Sequence, residues 1–116
     1  MKRGDVVLVR FPHASGVRGK KRPAVVVPSD AYTGAVRSLV VAEVTKNLSM
    51  KYDPACLFID VNTLEGQATG LVRDSVVSCL LLVTVYADSV SQVLGALSPS
   101  MKQDVDRCLK AALGLP

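Results

Sequence analysis

"GKKRPAVVV", residues 19–27, sets three cations in a row against a proline and a run of valines. The segment "AVVVP" (24–28) is a short β-branched apolar run, the pattern of a strand buried on both faces. Pro23 confines the residue before it to extended backbone, so Arg22 is held straight at the mouth of that strand. Lys20 and Lys21 follow Gly19 and are freer. These cations are either ordinary solvated loop charges or a phosphate site with one residue aimed by the fold.

The segments around this strand repeat its character. "DVVLVRFP" (5–12) is a first strand of Val and Leu closed by Pro12, and "HASGVRGKK" (13–21) is a loop. "SLVVAEVTKN" (38–47) is a third strand that brings Thr45, Lys46 and Asn47 to its mouth. "CLFIDVN" (56–62) alternates as a fourth strand, "TLEGQATG" (63–70) is a turn, and "LVRDSVVSCLLLVTVYA" (71–87) is two short strands or one bent one. "SVSQVLGAL" (89–97) is expected to form a short helix or turn. Past Pro99 the period changes. Met101, Val105, Cys108, Leu109, Ala112 and Leu113 form one helix face, with Ser98–Pro99 or a Ser100–Gln103 box as the cap, Asp104 and Asp106 early, and Gly114 as the stop. The expected architecture is a single domain over residues 1–116, mainly β with a C-terminal α-helix, built as a small barrel or sandwich.

Composition narrows the function. The formal charge of +4 is unevenly placed, because residues 1–22 hold seven Lys/Arg against one acid, +6, and residues 23–116 therefore carry −2. That asymmetry points to a polyanionic partner. Cys56, Cys79 and Cys108 are widely spaced, without a CxxC or a zinc-type Cys/His pairing, and Cys79 and Cys108 sit in apolar patterns as core residues. No signal peptide is recognisable and the apolar run 76–87 is too short to span a bilayer, so a reduced cytoplasm is the expectation.

Conventional catalytic machinery is mostly excluded. His13 is the single histidine, so a pair of histidines acting as acid and base is ruled out. Carboxylates are scattered, which argues against a metal nuclease, and no phosphate-cradling glycine motif joins a strand to a helix. No metal or other cofactor is expected. What remains is Arg22, whose planar fork suits a phosphate, and Thr45, whose hydroxyl can reach the same rim from an adjacent strand.

These pieces, "KRGDVVLVRF" (2–11), "KRPAVVV" (21–27), "VVAEVTKN" (40–47), "RDSVV" (73–77) and a final helix ending "LGL" (113–115), resemble in order and spacing the MazF/PemK-type toxins of bacterial toxin–antitoxin systems. The resemblance spans nearly the whole chain. It implies a small SH3-like barrel of five to seven strands with a C-terminal helix, the MazF/PemK/CcdB-type toxin fold, working as a homodimer. It implies sequence-specific, metal-independent cleavage of single-stranded RNA to a 2′,3′-cyclic phosphate and a 5′-hydroxyl. It also implies an antitoxin that lays an acidic segment over the RNA groove, in a heterohexamer or similar assembly able to bind DNA. The family's catalytic arginine and threonine match Arg22 and Thr45. One departure is the loop "SGVRGKK" (15–21), which carries no acid where family members often do.

Around that pair the expected RNA contacts are Phe11, Pro12 and His13 for stacking, Arg18, Lys20 and Lys21 for the backbone, Lys46 and Asn47 beside Thr45, and Arg73 with Asp74 as a second contact with RNA or a dimer contact. Two rivals stand against the ribonuclease. One is a non-catalytic SH3-like module that binds nucleic acid or protein, and the other is a gyrase-poisoning toxin of the same fold.

Overall fold

The computed structural model describes residues 1–11, 20–34 and 36–116. Six antiparallel strands make one sheet: β1 (Asp5–Arg10), β2 (Lys21–Val26), β3 (Ser38–Thr45), β4 (Cys56–Ile59), β5 (Ser75–Tyr86) and β6 (Val90–Ala96). Among the described residues two α-helices complete it, a short α1 (Leu64–Ala68) and the terminal α2 (Pro99–Leu113). The strand order is β4-β5-β3-β2-β1-β6, which leaves β4 and β6 at the two edges. The expected barrel is thus an open, bent sheet. The chain between β4 and β5 crosses to the far edge, where α1 and its exit lie against β6. An added Cβ on Gly70 would sit 2.1 Å from the Leu94 carbonyl oxygen, and one on Gly95 2.3 Å from that of Ala68. Only glycine permits this backbone contact.

The two faces of the sheet carry separate cores. Val6, Val25, Ala42, Val44, Ile59, Val77 and Cys79 pack against Met101, Val105 and Cys108 of α2. Val7, Val9, Ala24, Val26, Leu39, Val41 and Val85 form the second cluster, with Phe11 packed against it. Ala24, Val25 and Val26 are all buried, as a two-sided strand requires. The helix α2 is capped by Ser98, whose Oγ accepts from the Met101 N–H at 3.2 Å with Pro99 following, and it ends on Gly114 in the left-handed region at φ 69°. The Ser100–Gln103 box is therefore not the cap, and no acid lies in the first turn. Arg3 ties the helix to the sheet by pairing with Asp106 while its Nε donates to the Val27 carbonyl at 3.1 Å.

All three cysteines are buried thiols. Burial, then the neighbouring Cys108 and Cys56, push the Cys79 thiol up to about 12. Burial also raises Cys108, with Cys56 adding to it and Arg107 partly opposing. Neither Cys79 nor Cys108 is therefore a nucleophile at neutral pH.

Three sequence expectations are corrected, and one left open between two readings is decided. The segment 63–70 holds α1, because Thr63 caps it by accepting from the Gly66 N–H at 2.9 Å. The segment 89–97 is the edge strand β6, hydrogen-bonded to β1, and not a helix. The fourth strand stops at Ile59, where Asp60 turns the chain by accepting from the Asn62 N–H. Of the two readings of segment 71–87, the single bent strand holds, as β5. Its partner on β3 steps from Ala42 opposite Leu82 to Glu43 opposite Ser78, so Cys79, Leu80 and Leu81 form a bulge in which Cys79 stays buried and the two leucines are exposed.

Candidate active site

Alternation along two paired strands builds the site. Between β2 and β3 the register runs Val26 opposite Val41, Val25 opposite Ala42 and Ala24 opposite Glu43. Carried two residues further it sets Arg22 opposite Thr45. The side-chain period of two puts Arg22, Ala24, Glu43 and Thr45 on one face. Val41, Ala24 and Val26 on that face are core, so the polar residues stand where the buried cluster gives way to solvent. Arg22 is exposed, and Glu43 and Thr45 are half-buried.

Here a cleft of about 590 Å³ opens, lined by Lys20, Arg22, Glu43, Thr45, Lys46 and Arg73, with Leu71, Val72 and Leu81 as its apolar wall. The β5 bulge supplies Leu81, and the turn before β5 supplies Val72, which is 90% exposed. Four cations surround one carboxylate, so the cleft favours a polyanion and holds one group able to accept a proton. The Thr45 Oγ1 accepts from the Asn47 N–H at 3.1 Å. That bond leaves the hydroxyl hydrogen to point outward as a donor. Among the described residues, no three of His, Cys, Asp and Glu converge to hold a metal ion.

A family model of the PemK-like, MazF-like toxins of type II toxin–antitoxin systems matches residues 2–113. The chain belongs to this toxin family. A curated relative, the endoribonuclease MazF2 of Mycobacterium bovis, is 30% identical over 105 residues, which cover 90% of this chain and 88% of the relative. The endoribonuclease MazF6 of Mycobacterium tuberculosis matches to the same extent. Among solved structures, a mycobacterial endoribonuclease in complex with its cognate antitoxin superposes with a TM-score of 0.79 at 18% identity, covering 100% of this chain and 97% of that one. A MazE–MazF complex from Deinococcus radiodurans gives 0.76 at 20% identity, over 100% and 98%. These structural likenesses establish the MazF toxin fold.

Within that fold the expected site residues separate. Arg22, Thr45, Lys20, Lys46 and Arg73 meet in the cleft. Lys21 does not, because it lies on β2 and the pleat turns it to the opposite face, where it lines a different cleft with Arg10. Phe11 is half-buried against the second core rather than presented for stacking. The Asn47 side chain accepts from the Ser49 N–H at 3.0 Å and shapes the turn after β3. Asp74 accepts from the Val61 N–H at 3.0 Å, which fixes the chain leaving β4. Pro12, His13 and Arg18 lie outside the described residues. The residue that sequence reasoning missed is Glu43. Its signal was present, since it is two positions before Thr45 and must share that residue's face.

Proposed function

We propose that this toxin is a metal-independent endoribonuclease that cleaves single-stranded RNA in the Arg22–Thr45 cleft, and that a homodimer is its working form. The observation that carries the reading is the meeting of Arg22 and Thr45 across β2 and β3 in a cationic cleft. The relatives named endoribonucleases support it.

RNA brings its own nucleophile, the 2′-hydroxyl. Its oxygen bonds to phosphorus, the bond to the 5′-oxygen breaks, and a 2′,3′-cyclic phosphate and a 5′-hydroxyl result. The Arg22 guanidinium grips two non-bridging oxygens as their charge grows, and the Thr45 hydroxyl donates to one of them. Glu43, the one carboxylate of the cleft, accepts the 2′ proton. An ammonium at the rim, Lys20 or Lys46, returns a proton to the departing 5′-oxygen. Thus the enzyme gains no net proton. Cleavage of mRNA in this way stops translation and growth. An antitoxin is the regulating partner, supported by family membership and by the antitoxin complexes of the structural relatives. It covers this cleft with an acidic segment.

Mapping RNA 5′ ends after expression tests the reading, with Arg22→Ala as the control and purified protein assayed in EDTA. New 5′-hydroxyl ends at a recurring short sequence, absent with Arg22→Ala and persisting in EDTA, are expected. Intact RNA beside damaged DNA would sink the proposal and favour a gyrase poison.

A further inference from the structure

The cleavage chemistry uses the polar side of the Arg22–Thr45 cleft and leaves its apolar side without a task. Leu71, Val72 and Leu81 line that side. Val72 and Leu81 are both exposed, although each would ordinarily gain by burial. They arrive from two separate places, the turn before β5 and the bulge within it. The turn is braced on each flank of Val72. Before it, the Thr69 Oγ1 accepts from the Leu71 N–H at 3.2 Å, and Thr69 is itself buried. After it, the Ser75 Oγ donates to the Arg73 carbonyl at 2.8 Å, and the Asp74 carboxylate accepts from the Val61 N–H at 3.0 Å. Val72 thus projects from a backbone that is tied down on both sides. Tyr52 and Leu64 are as exposed, but neither shares a cleft with Arg22 and Thr45.

We propose that this aliphatic side is the seat of a nucleobase flanking the scissile phosphate, with Val72 and Leu81 as the residues that position the strand for cleavage. The chemistry calls for such a seat. The 2′-oxygen must approach phosphorus from the side opposite the departing 5′-oxygen, and a helically stacked strand holds the 2′-hydroxyl off that line. Reaching the line means turning two nucleotides apart, so a base leaves its neighbour and bares an apolar face. An aliphatic wall across from the phosphate grip takes up that face. The two sides of the cleft then match the two ends of one nucleotide, with cations for the phosphate and methyl groups for the base. The Val72 and Leu81 side chains carry no donor or acceptor, so they read the face of a base and not its edge. Sequence preference therefore belongs to the polar groups of the cleft, and correct alignment to the wall.

The seat rests on RNA being the substrate, so the test separates the two. The substrates are RNA oligonucleotides about ten nucleotides long, centred on a cleavage site mapped from 5′ ends. One is intact, and two are abasic, each lacking the base on one side of the scissile phosphate. Single-turnover kcat/KM is measured for the parent, Val72→Ser, Leu81→Ser and Val72→Leu, with the melting temperature of each as the check on folding. With the parent, losing the seated base should slow cleavage about tenfold, the scale of burying one aliphatic side chain. Val72→Ser and Leu81→Ser should slow the intact substrate by a similar factor and the matching abasic substrate hardly at all, since residue and base act through one contact. Val72→Leu should keep the parental rate, because the seat needs an apolar surface and not a particular shape. Equal cleavage of intact and abasic RNA by the parent overturns the seat. So does a serine variant that slows intact and abasic RNA alike, or neither. In those cases continued cleavage by the parent leaves the Arg22–Thr45 reading standing. A parent that cleaves no RNA overturns both.

Discussion

Arg22 is aimed by its neighbours along β2. Pro23 keeps its backbone extended and the β2 pleat decides its side, so the fork itself is the functional element. Arg22→Lys keeps the charge and loses the fork, and kcat/KM should fall about 100-fold, the scale of a lost oxyanion donor. An equally active lysine variant, by single-turnover cleavage, would refute two-point grip. Thr45 offers a finer test because its Oγ1 has two duties, accepting from the Asn47 N–H and donating to phosphate. Thr45→Ser keeps both and should stay within severalfold of the parent, whereas Thr45→Val loses both and should fall about 100-fold. Glu43 distinguishes catalysis from repulsion by sign. If it takes the 2′ proton, Glu43→Gln lowers kcat about 100-fold with little change in KM. If it merely opposes phosphate, the same change improves both, and the base assignment fails.

At the scale of elements, the contact between α1 and β6 bridges the two open edges. Gly70 is doubly constrained, by its backbone at φ +77° and by the Leu94 carbonyl, while Gly95 is constrained by contact alone. Gly95→Ala should therefore cost about 2 kcal/mol as overpacking against backbone, lowering Tm by about 10 °C. An unchanged melting curve would show that α1 does not need to dock. This contact also marks what sequence could and could not reveal. The strands β1, β2 and β3 were legible as short apolar runs that feed both cores, and the helix α2 because its buried residues repeat at the helical period. The strand β6 was not, because as an edge strand it keeps Ser91, Gln92 and Val93 exposed and shows no alternation. The five-residue α1 is too short for a period, and its two glycine neighbours, Gly66 within it and Gly70 after it, look like turn residues. Arg22 and Thr45 were legible from strand ends. Lys21 was misplaced beside Arg22 because the strand was started at Ala24, three residues late, and alternation was not applied to the cations.

At the scale of the molecule, charge placement becomes a measurable slope. Of the seven cations behind the excess of +6 in residues 1–22, Lys20 and Arg22 line one cleft and Lys21 and Arg10 the other. Each cation that neutralises a phosphate of a single strand displaces condensed counterions and adds about 0.7 to the slope of log K against log salt. A strand that occupies the first cleft alone should lose one such step with Lys20→Gln and none with Lys21→Gln. A strand that crosses β2 loses one with each. Lys110, exposed in the last turn of α2, lines neither cleft, and Lys110→Gln should leave the slope unchanged. Salt titration of a single-stranded 2′-O-methyl RNA about twelve nucleotides long against these three variants thus counts contacts cation by cation. If Lys110→Gln flattened the slope as much as Lys20→Gln, the attraction would belong to net charge and not to the clefts. That result would remove the electrostatic ground for placing RNA along β2.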